Sequence, residues 1–223
     1  MARMSLQYLE VCTDATELAA KAEAWLFREI ERTHARSIFI SAGNTPLPLY
    51  ARWEQSMPAA LHGLRLCPVD EVMSGPGAGI FGRFFARALP SYAHVLLPVF
   101  EELDEIPRVA LLGLGLNGHV AFHEPHVRPD FKKGMVELET RTCQELGLDP
   151  PVQGLSYGVG AFRECDSVAI IVSGERKRGI LHRLLQTDDR MPARVLMDSF
   201  LRDPGRASHF RLFADEAALN GPG

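Results

Sequence analysis

Ser37 to Met57 reads SIFISAGNTPLPLYARWEQSM: a short apolar run, a loop of small residues and an amphipathic stretch in immediate succession. The run Ser37 to Ser41 lies between a polar stretch and a glycine, the pattern of a strand buried on both faces. Leu47 to Met57 reads as a helix, with Thr45 as its N-cap and Pro46 at the first helical position, where a missing N–H costs nothing. Strand, loop and helix in that order form the repeating unit of a parallel sheet.

The same alternation extends in both directions. Upstream, Asp14 to about Thr33 carries alanine, leucine and charged residues at helical spacing, with Thr13 or Asp14 available as N-cap. Downstream, Leu64 to Val69 reads as strand, Ile80 to Leu89 as helix, Val95 to Val99 as a short strand and Arg108 to Gly113 as a buried strand. Further on, Ser167 to Ser173 is strand-like, Glu175 to Leu185 helix-like, and Phe210 to Phe213 a final strand. His126 to Pro151 has too little periodicity to assign. This order predicts an α/β fold, a mainly parallel twisted sheet with helices on both faces, as one domain over residues 1–220 with Gly221 to Gly223 as a tail. Ligands of such sheets collect at the carboxyl ends of the strands.

Composition narrows the function classes. A chain of 223 residues that is 46% hydrophobic can bury a substantial core. The formal net charge is −4, with Lys and Arg scattered, which excludes an electrostatic footprint for nucleic acid. The opening MARMSLQYLE lacks the apolar core of a signal peptide, and no apolar run approaches the roughly 20 residues that cross a bilayer, so the expectation is a cytoplasmic protein without a membrane partner. Cys12, Cys67, Cys143 and Cys165 lie far apart without CxxC spacing and read as reduced thiols.

The polar clusters all follow predicted strands. Ser41-Ala42-Gly43-Asn44-Thr45-Pro46 brings small residues and hydroxyls to a helix start, where backbone N–H groups can approach a phosphate, or simply makes a capped turn. Asp70 and Glu71 follow the strand LRLCPV. A carboxylate there can take a proton from carbon if desolvation raises its pKa, whereas adjacent acids in a loop are more often merely solvated. Gly113 to Pro125, GLGLNGHVAFHEP, frees a turn with glycines and sets His119 near Glu124 as an acid/base pair in outline. A dinucleotide reading of those glycines fails for want of an acidic ribose partner. His119, His123 and His126 offer an alternative reading as metal ligands, against which Pro125 interrupts any helix that would align them and no cysteine joins them, so no metal is expected. Ser173-Gly174-Glu175-Arg176-Lys177 opens a helix, where Lys177 either adds a point charge to a held phosphate or is a solvated surface lysine.

In this order SAGNTP, DE, GLGLNGHVAFHEP, LSYGVG and SGERKRGIL resemble the glucosamine-6-phosphate deaminase and 6-phosphogluconolactonase superfamily, over most of the chain. The resemblance implies a Rossmann-like domain that binds a phosphorylated sugar and needs no metal or organic cofactor. FHEP, Phe122 to Pro125, is similar to the FNEP of the deaminase branch and points away from the lactonases. By that resemblance Asp70 would move a proton between C2 and C1 of an open-chain amino sugar phosphate. His119, oriented by Glu124, would open the ring, and Ser41, Gly43, Asn44, Thr45 and Lys177 would hold the phosphate. Asn117 occupies the catalytic turn where the family pattern has aspartate, and an amide supplies no negative charge. Val72 follows the DE pair in place of tyrosine or arginine. The deaminase lid has no clear counterpart, Arg128 and Arg141 being the available substitutes. The reading is an amino-sugar-6-phosphate deaminase or isomerase, with a 6-phosphogluconolactonase-like hydrolase and a non-catalytic sugar-phosphate sensor as alternatives.

Overall fold

Residues 7–186 and 190–220 are described by the computed structural model of this chain. Along them run β1 (Leu9–Cys12), α1 (Ala15–Thr33), β2 (Ser37–Ile40), α2 (Leu47–Ser56), β3 (Arg65–Pro68), β4 (Asp70–Val72), α3 (Ile80–Ala88), β5 (Val109–Gly113), β6 (Lys133–Glu137) and α4 (Thr140–Leu146). There follow β7 (Gln153–Tyr157), α5 (Val159–Phe162), β8 (Ser167–Val172), α6 (Arg178–Gln186), α7 (Pro192–Leu201), β9 (Phe210–Asp215) and α8 (Glu216–Asn220). The tail read at Gly221 to Gly223 lies outside the described residues.

Local chemistry sets the ends of these elements. Asp14 begins α1 as its Oδ1 accepts from the N–H groups of Thr16 and Glu17 at 2.8 and 2.9 Å, while Glu17 reaches back to the Thr13 N–H at 2.6 Å. His34, left-handed at φ 52°, ends it. Thr45 makes no capping bond, contrary to the sequence expectation: α2 starts at Leu47 with Pro46 before it. The Leu47 N–H is taken by the Asn44 carbonyl at 3.3 Å, and Pro48 has no donor, so no first-turn N–H at those positions needs a side-chain acceptor. Val95 to Val99 is likewise not a strand. It makes one bridge, with Leu66 bonded to Val95 and Leu97, because the Val95 and Leu96 donors turn back to Tyr92 and Pro98 has none. Lys177 lies in a 3-10 turn, Glu175–Lys177, and α6 begins only at Arg178.

The large sheet is six-stranded in the order β1-β9-β8-β5-β2-β3, and every pairing in it is parallel. Alternate residues of its strands enter two separate cores, as the strand period of two requires. Ile38, Ile40, Val109, Leu111, Ala169 and Ile171 pack under α1, α2 and α3 against Trp25, Tyr50, Trp53 and Phe85. Phe39, Ala110, Leu112, Val168, Ile170 and Leu212 pack on the other face against α5, α6 and α7, with Phe162, Leu181 and Phe200. Both faces are covered, which is why these strands read as unbroken apolar runs.

A second sheet, β4-β7-β6, is three-stranded and antiparallel. The chain passes between the sheets at Val69 and Asp70. Val69 donates to Ile40 of the large sheet, its carbonyl accepts from Tyr157, and Asp70 then pairs with Ser156 of β7. The four cysteines are buried free thiols, and no helix among the described residues is long and apolar enough to cross a membrane.

Candidate active site

From β2 the chain leads outward to β3, and it then returns to place β5 on the other side of β2. Strand order thus reverses between β2 and β5, and a crevice forms at their carboxyl ends. There a cleft of about 540 Å³ is lined by Ser41 to Pro46 after β2, Asp70 at the head of β4, Gly113 to Leu116 and His119 after β5, and Ser173 to Lys177 after β8. Four segments far apart in sequence therefore share one cavity. Ser41, Gly43, Asn44, Thr45, Asp70, His119 and Lys177 all reach its wall. Asn117 and Glu124 do not; they stand behind His119.

The Ser41 loop is braced from below and free above. Tyr50 donates its hydroxyl to the Ser41 carbonyl at 2.6 Å. Ser41 Oγ is buried without a hydrogen-bond partner among the described residues, an open donor and acceptor at the cleft wall. Gly43 stands at φ +114°, a conformation that side chains rarely adopt. Across the cleft, Asp215 accepts from Ser173 Oγ and from the Gly174 and Ala218 N–H groups, the last at 2.8 Å, fixing the turn that carries Lys177. Lys177 Nζ lies 3.7 Å from Glu145 Oε2, and burial lowers its pKa from the ordinary lysine value.

The acids of the DE pair have separate tasks. Glu71 bonds the first turn of α3, with Oε1 accepting from Phe81 N–H at 2.9 Å and Oε2 from Gly82 N–H at 2.6 Å, as a carboxylate at a helix N-terminus does. Asp70 is 7% exposed, and no backbone donor to its carboxylate is found among the described residues. Its burial, and then the neighbouring Glu71 charge, push its pKa well above the usual carboxylate value. The raised pKa brings a carboxyl toward the range where it can act as a base at neutral pH.

His119 is placed by a tight glycine turn. Gly115 N–H donates to the His119 carbonyl at 2.9 Å and Gly118 N–H to the Gly115 carbonyl at 3.0 Å. The imidazole lies directly against Gly115, where an added Cβ would meet Nε2 at 2.2 Å. On its other side Nδ1 faces Glu124 Oε2 at 3.5 Å and Thr142 Oγ1 at 3.3 Å. Glu124 is fully buried. Burial opposes its charge, but the contacts with His119, then Thr142 and Asn117, hold its pKa down to about 2, so it is a carboxylate at neutral pH.

The other histidines serve elsewhere. His123 is buried, its Nδ1 accepting from Val159 N–H at 3.0 Å, while His126 faces Glu139 at 3.5 Å. Burial lowers the His123 pKa from 6.5 to about 4. A depressed histidine stays neutral in the folded protein while the unfolded chain takes up a proton, so stability falls as pH drops from about 6.5 toward about 4, by roughly 3 kcal/mol. Urea titrations across that range should show a shallower acid-side loss in His123→Asn, whose amide oxygen can accept from Val159 without titrating.

Sequence reasoning did not reach Thr142, Glu145 and Leu146, which α4 contributes to the cleft from the unassigned segment. It also missed Asp215, whose role depends on a contact made across the sheet. The lid substitutes are not cleft residues: Arg128 is 83% exposed and paired with Asp130, and Arg141 lines a separate surface cleft with His126 and Glu139.

No protein-family model matches the chain. Among curated proteins, the glucosamine-6-phosphate deaminase of Leuconostoc citreum (strain KM20) is 26% identical over 210 residues, which takes in 82% of this chain and 89% of that one. The glucosamine-6-phosphate deaminase of Staphylococcus haemolyticus (strain JCSC1435) is 32% identical over 98 residues, 40% of each chain. Among solved structures, a monomeric glucosamine-6-phosphate deaminase superposes with a TM-score of 0.76 at 18% identity, covering 97% of this chain and 100% of that one. A 6-phosphogluconolactonase from Trypanosoma cruzi does so with a TM-score of 0.67 at 16% identity, over 94% of each. With its strand-end loops meeting in one cleft, this chain is similar in sequence to curated glucosamine-6-phosphate deaminases and shares its fold with a deaminase and a 6-phosphogluconolactonase of known structure.

Proposed function

We propose that the chain is a hexosamine-6-phosphate deaminase that converts glucosamine or galactosamine 6-phosphate, with water, into a ketohexose 6-phosphate and ammonia. The observation that carries this reading is the placement of a buried, proton-accepting Asp70 and a carboxylate-backed His119 in the wall of one cleft whose rim offers phosphate donors. The names of the curated relatives support it.

His119 donates a proton to the ring oxygen while the C1 hydroxyl gives its own to water, so the C1–O5 bond breaks and the C1 aldehyde forms, and buried Glu124 steadies the imidazolium that precedes the transfer. Asp70 takes the C2 proton and returns one to C1, so an electron pair moves from C2 to C1 and the C2 amine becomes an imine. Water adds at C2 and ammonia leaves. Ser41, the loop Gly43 to Thr45 and Lys177 grip the phosphate, whose binding energy orients the reacting carbons. Site, epimer and absence of a cofactor are parts of this proposal.

An enzyme-coupled ammonia assay against glucosamine, galactosamine and mannosamine 6-phosphates tests it. Release from at least one is expected. Hydrolysis of phosphogluconolactone without ammonia would place the chain with the lactonases, where His119 activates water. Thermal stabilisation by sugar phosphates without any product would make it a sensor. For the grip itself, Lys177→Met should raise KM by ~10- to 100-fold, the loss of one charge-assisted hydrogen bond, and weaken inhibition by inorganic phosphate in parallel. An unchanged phosphate inhibition constant would remove Lys177 from the grip.

A further inference from the structure

Behind His119 stands a layer of side chains that the proposed proton transfers leave unused. Asn117 Nδ2 donates to Glu124 Oε2 at 2.7 Å and to Glu139 Oε2 at 2.8 Å, and its Oδ1 accepts from the His119 backbone N–H at 3.2 Å. An amide nitrogen carries two hydrogens, so each carboxylate takes one and both ends of the side chain are engaged. The reverse placement of the amide atoms would turn a carbonyl oxygen toward two carboxylates, so the hydrogen bonds themselves select this orientation. Glu139 also reaches Glu124 through its main chain, donating N–H to Oε1 at 3.2 Å. Its remaining oxygen faces His126 Nδ1 at 3.5 Å. Thr142 Oγ1, on α4, completes the groups around the histidine.

We propose that Glu139 is a positioning residue for His119: with Asn117 it forms one unit that fixes the Glu124 carboxylate and adds a second negative charge behind the imidazole. Asparagine at 117 is then a requirement of this site rather than a lost function. An aspartate there would remove both donors and bring three carboxylates within hydrogen-bond distance. Like charges that close do not all remain ionised, so one carboxylate takes a proton or Glu124 turns away from His119. Changing Glu139 to glutamine removes a charge and adds an amide donor from which aspartate at 117 can accept, so the double variant returns the cluster to two negative charges. The activity consequence rests on the deaminase reading; the geometry of the unit does not.

The experiment compares Asn117→Asp, Glu139→Gln and the double variant by kcat on the preferred hexosamine 6-phosphate. It adds the His119 ring titration by NMR on isotope-labelled protein without substrate. Asn117→Asp should lose activity by about tenfold or more, and the double variant should regain most of that loss, the sign of directly coupled residues. Glu139→Gln should lower the His119 titration midpoint, since a negative charge that favours the imidazolium is gone. Multiplicative losses in the double variant together with an unmoved midpoint would overturn the proposal. If Asn117→Asp fails to fold, the midpoints in Glu139→Gln and the double variant decide. A wild-type protein that releases no ammonia would sink the deaminase reading, and the titration would still rule on Glu139.

Discussion

Asp70→Asn is expected to lower kcat by ~10²- to 10⁴-fold, the usual contribution of a positioned general base, while making the protein more stable. The two effects share one cause. Asp70 is buried where the chain crosses from the parallel sheet to the antiparallel one, and among the described residues it lacks the backbone donors that Glu71 beside it possesses. Its folded pKa is therefore well above the ordinary carboxylate value of 3.8. With the sign followed through, the unfolded chain releases this proton as pH rises past its ordinary value and the folded chain retains it, so unfolding is progressively favoured up to the raised pKa. Asparagine carries no proton to lose. The gain in melting temperature of Asp70→Asn over wild type should be small near pH 4 and widen as pH rises. Full activity in the variant would remove Asp70 from the chemistry. Loss of activity with a stability difference that ignores pH would mean that burial is not what tunes it.

Gly115→Ala should cost about 100-fold or more in kcat, the effect of displacing a catalytic group by around 1 Å. The added methyl would lie 2.2 Å from His119 Nε2 and 2.3 Å from Cε1, so the imidazole has to rotate out of its seat between Gly115 and Glu124. Gly115 does not have the positive φ that reserves Gly118 for glycine, so alanine is compatible with its backbone and the damage should fall on the histidine. Phosphate inhibition should be unchanged, because the Ser41 loop and the Lys177 turn come from other strands. Wild-type kcat in Gly115→Ala would mean that His119 takes no part in the reaction from this position. A parallel loss of phosphate affinity would mean that the turn collapses as a whole.

What could be read from the residues followed from how local each cause is. Ile38 to Ile40 and Val168 to Val172 are apolar because both faces of their sheet are covered, so their runs marked the strands of the large sheet. The loops after those strands were legible for the same reason: a parallel sheet delivers its strand ends to one edge. The antiparallel sheet was not legible. β4 is three residues long, and β6 alternates around glycine and an exposed Met135, so neither has a periodic signature apart from its pairing with β7. α4, whose Thr142 and Glu145 complete the cleft, is seven residues long and begins without a side-chain cap, which left no start signal to find. Asn117 was legible as a departure from a pattern, but its hydrogen-bond partner Glu139 is distant in sequence and only folding brings the two together.

Proton NMR of glucosamine 6-phosphate incubated with the purified protein in deuterated water tests the central claim most directly, because it follows the carbon-bound hydrogens that Asp70 is assigned to move. The account predicts ketohexose 6-phosphate and ammonia in equal amounts, with solvent deuterium entering C1, and all of these changes slowed by ~10²- to 10⁴-fold in Asp70→Asn. An amino sugar that stays intact, together with its galactosamine and mannosamine epimers, while phosphogluconolactone is hydrolysed in the same tube would contradict it.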